Sequence, residues 1–133
     1  MLILELQRAT HATLHLLGTE LVDLDLTASE VNALGNLADG VARTVSELGA
    51  AVGTRPATLT GILDRLERRG LVSRGTRPGD RRAVVIALTP EGERVAKVVR
   101  KSLLALERRL LAGLPRDAID GARAVLRALA AGR

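Results

Sequence analysis

The chain has no cysteine, phenylalanine, tyrosine or tryptophan. Without cysteine it forms no disulfide, and it has no thiolate to serve as a nucleophile or a redox sensor. Without aromatic rings the hydrophobic core must be built from aliphatic side chains, and 47% of the residues are apolar. No ring is available to stack on a ligand, but an apolar ligand pocket remains possible.

Long uncharged apolar runs are also missing, and none approaches the roughly 20 residues of a membrane-spanning helix. The first residues have neither the basic leader nor the cleavage site of a signal peptide. No catalytic motif such as G-x-S-x-G, H-E-x-x-H or a phosphate-binding glycine loop is present. The 133 residues fit one domain. We therefore expect a cytoplasmic protein that is not an enzyme, contacts no membrane and needs no cofactor.

Positive charge is concentrated in the stretch from Thr54 to Arg82. This stretch has eight basic and three acidic residues, and the excess equals the formal net charge of +5 of the whole chain. The remaining residues are therefore neutral in sum. Charge gathered in one segment is typical of a protein that binds a polyanion such as a nucleic acid.

The first part of this stretch has the pattern of an amphipathic helix. Aliphatic residues recur at helical spacing and predict one buried face, formed by Leu59, Ile62, Leu63 and Leu66. The opposite face is small and polar near its start, where Thr58 and Thr60 lie. Such a face can approach the floor of the DNA major groove. A solvated surface helix has the same pattern, and the segment that follows decides between the two interpretations.

That segment is a predicted arginine-rich hairpin. Gly70 predicts the end of the helix, and two short apolar strands flank Thr76–Arg82. Pro78 and Gly79 suit the central positions of a type II turn. The tip has four charged residues and no large apolar one. It therefore suits a phosphate-lined groove better than a protein core.

This stretch resembles the recognition helix, the wing and the next helix start of MarR-type transcriptional regulators. The shared motif is D-R-L-E-R-R-G-L-V, then D-R-R, a β-strand and L-T-x-x-G, found here at Asp64–Val72, Asp80–Arg82 and Leu88–Gly92. The resemblance implies a mainly α fold with a small β-hairpin wing. It also implies a winged helix-turn-helix with dimerisation helices at both ends of the chain.

The resemblance further implies roles for individual residues. In the family, the residue that matches Arg82 typically enters the minor groove, and the residue that matches Asp80 orients it. We expect base contacts from the recognition helix through Arg55, Thr58, Thr60 and Arg65. We expect phosphate contacts from the hairpin through Arg74, Arg77 and Arg81. An arginine at a helix start opposes the helix dipole, so we expect Thr54 to be the cap.

Helix-start signals divide the rest of the chain. Thr27 with Glu30, and Thr44 with Glu47, are predicted capping boxes. Thr89 predicts the start of a long helix, because proline follows it in the favoured first position.

We expect a first helix from near Met1 to about Leu21, and a short strand at Val41–Arg43 as in the family. The whole chain, residues 1–133, is expected to form one MarR-type domain. Its winged lobe would span residues 27–88, and residues 1–26 and 89–133 would form dimerisation helices. A symmetric dimer explains the apolar stripes of both end helices economically, and the alternative is a monomer that folds them over its own core.

His11 and His15 lie one turn apart on the first helix. They could share a metal ion, but no third ligand is fixed, so we expect no metal site. Many family members bind effectors between the dimerisation helices and the DNA-binding lobe. By location alone, the two histidines are candidate effector contacts.

The sequence therefore predicts a transcriptional regulator that binds double-stranded DNA at a palindromic operator as a homodimer. It would most simply be a repressor that responds to a small-molecule effector. The alternative is a winged-helix architectural or assembly protein that binds DNA with little sequence preference and has no effector. The two hypotheses differ in specificity ratio and in ligand response.

Overall fold

The computed structural model describes residues 1–132 of the chain, and these are mainly helical, as predicted. The helices are α1 (Leu2–Glu20), α2 (Ala28–Leu37), α3 (Val45–Val52), α4 (Pro56–Arg68), α5 (Pro90–Leu110) and α6 (Arg116–Ala131). A short 3-10 turn lies at Val22–Leu24. The strands are β1 (Arg43–Thr44), β2 (Val72–Arg77) and β3 (Asp80–Leu88).

The three strands form one antiparallel sheet in the order β1-β3-β2. The hairpin of β2 and β3 is the predicted wing, and Val72 pairs with Leu88 at its base. The short strand β1 pairs with the middle of β3, where Arg43 lies opposite Ile86. It begins two residues later than the Val41–Arg43 segment that the sequence predicted.

Two compact units make up the chain, and their boundary falls within α5 after Leu103. The first unit, residues 1–103, contains the sheet and helices α1 to α4. The second unit, from Leu104 onwards, contains the end of α5 and all of α6. The predicted division into a winged lobe at residues 27–88 and flanking dimerisation helices stays a prediction. None of the helices within residues 1–132 combines the length and apolar character of a membrane span.

The core of the first unit is aliphatic, as the composition requires. The inner face of α4 is the predicted one, and each member is at most 1% exposed: Leu59, Ile62, Leu63 and Leu66. They belong to a cluster that includes Leu34, Leu37, Leu48 and Ile86. Burial of each such side chain is worth roughly 1.5–3 kcal/mol. This cluster fixes α4 by one face and leaves the opposite face exposed.

The helix caps differ between α2 and α3. At α2 the predicted capping box is confirmed, because Thr27 Oγ1 accepts from the Glu30 amide and the Glu30 carboxylate accepts from the Thr27 amide. At α3 only half of the box forms. Thr44 Oγ1 accepts from the Glu47 amide at 3.0 Å. The Glu47 carboxylate instead accepts from the Thr44 hydroxyl at 3.0 Å. The same carboxylate oxygen also accepts from Arg77 of the wing.

A junction of backbone groups joins α4, the wing and α5. Gly70 lies in the left-handed region at φ 72°, where a glycine ends a helix at little cost. Leu71 donates to Leu66 O and accepts from the Thr89 amide at 3.1 Å. Thr89 Oγ1 donates to Gly70 O at 2.6 Å and accepts from the Gly92 amide at 3.0 Å, which confirms Thr89 as the cap of α5.

Gly92 has no room for a side chain at this junction. A Cβ placed on it would lie 1.8 Å from Leu71 O, a backbone atom that cannot swing away. Gly61, in the middle of α4, is different, since its nearest neighbour would be the flexible end of Arg65 at 3.7 Å. The glycine of the L-T-x-x-G motif is therefore required by packing.

We expect Gly92→Ala to lower the free energy of unfolding by several kcal/mol, because α5 must move away from Leu71. The matched control, Gly61→Ala, should raise it by up to about 1 kcal/mol through helix propensity. Urea unfolding followed by circular dichroism measures both. Equal stability of the Gly92→Ala variant and the wild type would contradict the junction as described.

Candidate nucleic-acid interface

The exposed face of α4 begins with small and polar side chains. Thr58 and Thr60 are exposed there, and the Thr60 hydroxyl donates to Pro56 O at 2.9 Å. The cap is Arg55, which makes no side-chain capping hydrogen bond, so the prediction that Thr54 caps this helix is wrong. Pro56 sets the boundary, because its fixed φ suits the first helical position. The Arg55 guanidinium is thus left exposed beside the start of α4.

Four arginines of the basic stretch make neither an ion pair nor a side-chain hydrogen bond with any residue that the structure describes. They are exposed and lie at both ends of α4 and at the start of β3: Arg55, Arg68, Arg81 and Arg82. By contrast, Arg69 donates to Asp25 O at 2.6 Å and Leu24 O at 3.0 Å, and so fixes the 3-10 turn. These unpaired arginines are therefore only part of the positive charge of the basic stretch.

Arg65 has an acidic neighbour on α2. Its Nε lies 3.9 Å from Glu30 Oε1, and the Glu30 side chain is only 5% exposed. The same carboxylate caps α2 through Thr27. Arg65 is itself about half exposed, so its guanidinium balances a buried charge and still reaches solvent.

Arg74 connects the stalk of the wing to the outer face of α4. Its NH2 group donates to Asp64 Oδ1 at 2.6 Å, and its Nε lies 3.6 Å from Glu67 Oε2. Two carboxylates from one helix therefore hold a guanidinium from β2. This arrangement fixes the wing relative to α4. The sequence had predicted only a phosphate contact for Arg74.

Arg77, near the wing tip, reaches α3. Its NH2 group donates to Glu47 Oε1 at 2.9 Å. The Arg77 guanidinium, and then the Thr44 hydroxyl, lower the pKa of Glu47 below its ordinary value. The wing thus has a second ionic attachment, to α3, in addition to the attachment of Arg74 to α4.

The wing tip is a tight turn. Gly79 has φ 85°, which fits the predicted type II turn with Pro78 before it. The predicted pairing of the Asp80 carboxylate with the Arg82 guanidinium is wrong for this structure. Asp80 Oδ1 instead accepts from the Arg82 backbone amide at 3.0 Å, as an Asx turn does. Asp80 therefore orders the backbone of the tip and leaves the Arg82 guanidinium free.

A cleft of about 830 Å³ separates the start of α4 from the wing. Small or apolar residues of α3 and the turn after it form one wall, among them Val45, Gly49 and Gly53. Residues 82–84 of β3 form the other wall, and Arg82 is the charged residue among those that line the cleft. Apart from Arg82, the lining consists of small, apolar and hydroxyl-bearing residues, so the cleft offers one cationic contact to a ligand.

The two histidines lie away from any cavity described for α1. A cavity of about 400 Å³ lies between α1, α2 and Leu103, and its polar lining includes Thr10, Asn32 and Asn36. His11 and His15 are exposed and are not among its lining residues, and their effector role stays a prediction. Within residues 1–132, no three His, Cys, Asp or Glu side chains lie close enough to hold a metal ion.

The sequence analysis missed the three carboxylates that hold wing arginines: Glu47, Asp64 and Glu67. Asp64 and Glu67 lie three residues apart on α4, a spacing that brings side chains to one face. That spacing was a usable signal for a shared cation. Glu47 carried no such signal, because it is thirty residues from Arg77.

Comparisons with known proteins agree with this geometry. The sequence profile of the MarR family matches residues 24–83. The multiple antibiotic resistance protein MarR of Salmonella typhimurium is 33% identical over 82 residues, which cover 62% of this chain and 57% of that protein. The chain thus spans little more than half the length of this curated relative.

Solved structures match over nearly the full length. NadR in complex with 4-hydroxyphenylacetate has a TM-score of 0.91 and 25% identity, covering 100% of this chain and 94% of that one. CouR from Rhodococcus jostii RHA1, bound to p-coumaroyl-CoA, has a TM-score of 0.86 and 29% identity, covering 96% and 90%.

The chain belongs to the MarR family of winged helix-turn-helix transcriptional regulators. This family consists of transcription regulators and not of enzymes. The MarR-type fold includes the N- and C-terminal helices, because the match to NadR covers the whole chain. The α4 helix and the β2–β3 hairpin hold the places of the family's recognition helix and wing.

The role of Asp80 as a backbone acceptor gives a prediction. Asp80→Asn should keep the Arg82 amide protected from hydrogen exchange, because an amide oxygen also accepts. Asp80→Ala should make that amide exchange faster, and measurement by NMR separates the two. Loss of protection in the Asn variant would show that the carboxylate charge, and not acceptance by its oxygen, orders this MarR-type wing tip.

Proposed function

We propose that this MarR-family chain is a sequence-specific regulator that binds a palindromic DNA operator as a homodimer in the cytoplasm. The observation that carries the proposal is the placement of the unpaired arginines. Arg55 and Arg68 lie at the two ends of α4, and Arg81 and Arg82 lie on the wing. Cations without internal partners are available for phosphates and base edges at no cost of a broken ion pair.

The elements suit two adjacent grooves of one duplex. The small N-terminal face of α4 would enter the major groove, where Arg55, Thr58 and Thr60 would read bases. The Thr60 hydroxyl remains able to accept a hydrogen bond, since its donor is used by Pro56 O. The wing would reach the neighbouring minor groove with Arg82, while Arg81 would hold a phosphate. The cleft between α4 and β3 would receive the backbone strand between those grooves.

Arg65, Arg74 and Arg77 remain in the proposed interface as arginines that also have internal partners. A guanidinium has five N–H donors, so one carboxylate does not use its full capacity. Arg65 and Arg74 would contact DNA while they stay attached to α2 and α4. Their contribution to affinity should be smaller than that of an unpaired arginine.

A homodimer is supported by apolar side chains exposed near both ends of the chain. In α1, Leu2, Ile3 and Leu4 are each more than 50% exposed. The second unit separately exposes six aliphatic side chains: Leu104, Leu110, Leu114, Val125, Leu126 and Leu129. Exposed apolar surface on two helices is a usual sign of a protein–protein interface. A symmetric dimer would cover it and would match the two-fold symmetry of a palindrome.

An effector that releases the DNA would most simply bind in the cavity between α1 and α2. Its lining is aliphatic except for Thr and Asn side chains, and no lining residue is charged. The Asn36 side-chain amide donates to Asn32 Oδ1, so the Asn36 side-chain carbonyl would be available to accept from a ligand. Two MarR-type relatives are solved with bound small molecules. We propose a small, largely apolar effector with hydrogen-bonding groups. Its binding would lower the affinity of the protein for DNA and so relieve the repression of the target genes.

Selection of bound genomic fragments at near-physiological salt tests the function. We expect a sharp palindrome whose half-sites are about one helical turn apart. Binding to the best fragment should exceed binding to random DNA by about 10³-fold or more. Recovery of unrelated fragments with similar affinity would favour the architectural alternative and contradict a sequence-specific regulator.

Sedimentation tests the dimer. At micromolar concentration we expect one species with twice the chain mass. The double change Leu126→Glu and Leu129→Glu should produce monomers or aggregates, because it places charges in the proposed interface. Arg127→Glu, on the same helix, is the matched control and should remain dimeric. A wild-type monomer that binds the selected fragment normally would contradict the proposal.

A further inference from the structure

The carboxylate of Glu47 lies in an anion site made by the protein itself. Arg77 NH2 donates to Glu47 Oε1 at 2.9 Å, and the Thr44 hydroxyl donates to the same oxygen at 3.0 Å. Glu47 also lies in the first turn of α3, where the helix dipole favours a negative charge. One carboxylate oxygen therefore collects a guanidinium and a hydroxyl beside a helix N-terminus.

The same donors are the ones that proteins use for DNA phosphates. Arginine guanidinium, threonine hydroxyl and helix N-termini provide much of the contact to the phosphate backbone in protein–DNA complexes. The site is open to solvent, because the side chains of Arg77 and Glu47 are 46% and 49% exposed. It also joins the wing to α3, the helix that precedes the recognition helix. A phosphate of a bound duplex would therefore find these donors within the interface.

We propose that in the free protein Glu47 occupies the position that a DNA phosphate group takes in the complex. On binding, this phosphate displaces Glu47 from Arg77. This inference rests on the proposed function. The exchange replaces one anionic partner of Arg77 by another. Glu47 then competes with DNA for Arg77, and it lowers the affinity for all DNA sequences alike.

The other wing arginine with carboxylate partners is attached differently. Arg74 contacts Asp64 and Glu67, which lie on α4 itself and hold the base of the hairpin. Glu47 lies on α3 and holds the hairpin near its tip, where Arg77 is next to the turn residue Pro78. Release of Arg77 would thus leave the wing anchored through Arg74 and free its tip.

Four proteins test the exchange: the wild type, Glu47→Gln, Arg77→Gln and the double variant. Glutamine suits the third position of a helix capping box, so the fold should be retained, and thermal unfolding by circular dichroism checks this. Glu93→Gln, an exposed residue of α5, is the control for the change in net charge. Affinity for the selected fragment and for random DNA is measured at one low salt concentration, at which the weakest variant still binds.

We expect Glu47→Gln to tighten binding to both DNAs by about two- to five-fold per subunit, the range of one exposed ion pair. In the Arg77→Gln background the same change should tighten binding no more than Glu93→Gln does. Equal tightening with and without Arg77 would show a general charge effect and would overturn the exchange. Unchanged or weaker binding by Glu47→Gln would overturn it as well, because Glu47 would then not compete for Arg77.

Failure of this inference differs from failure of the proposed function. If the wild type binds the selected fragment and the Glu47 variants behave as the control does, the exchange is wrong and the regulator stands. If the wild type binds no DNA at low salt, both are wrong.

Discussion

The backbone junction at Leu71 determines how the recognition helix and the wing are placed. Leu71 O accepts from the Thr89 amide, and Gly92 approaches it so closely that a side chain would not fit. The α4 helix ends, the hairpin begins and α5 starts at this one place. Backbone groups therefore fix the angle between α4 and the wing at its base, and the Arg74 side chain adds an ionic attachment further along β2. Such preorganisation would favour the proposed entry of both elements into neighbouring grooves at once.

Charge in the basic stretch is divided among arginines with different partners. Arg69 binds backbone carbonyls, and Arg74 and Arg77 tie the wing to α4 and α3. Net charge alone does not reveal this division, because each guanidinium counts as one. The arginines without ion pairs remain on the surface that the proposed DNA would contact. Arg74 and Arg77 thus hold the wing, and we propose that the arginines without internal partners contribute most to DNA affinity.

Local patterns explain which parts of the fold could be predicted from the sequence. The buried face of α4, the α2 capping box and the wing turn depend on neighbours within a few residues, and these predictions are confirmed. The Arg77–Glu47 pair depends on the packing of elements far apart in sequence. Asp80 was expected to bind a side chain, but the nearer backbone amide competes successfully. His11 was expected near a ligand pocket, but its orientation depends on which side of α1 packs against α2, and local sequence patterns do not give that.

Hydroxyl-radical footprinting of the selected DNA fragment tests most directly the claim that α4 and the wing bind one duplex together. The account predicts two symmetric protected regions, about 10–10.5 base pairs apart from centre to centre, because each subunit presents one α4. It also predicts additional protection of the minor groove outside each region, where the wing would lie. Protection confined to a single region, or protection of the two regions without the outer minor-groove signal, would contradict the joint placement of helix and wing.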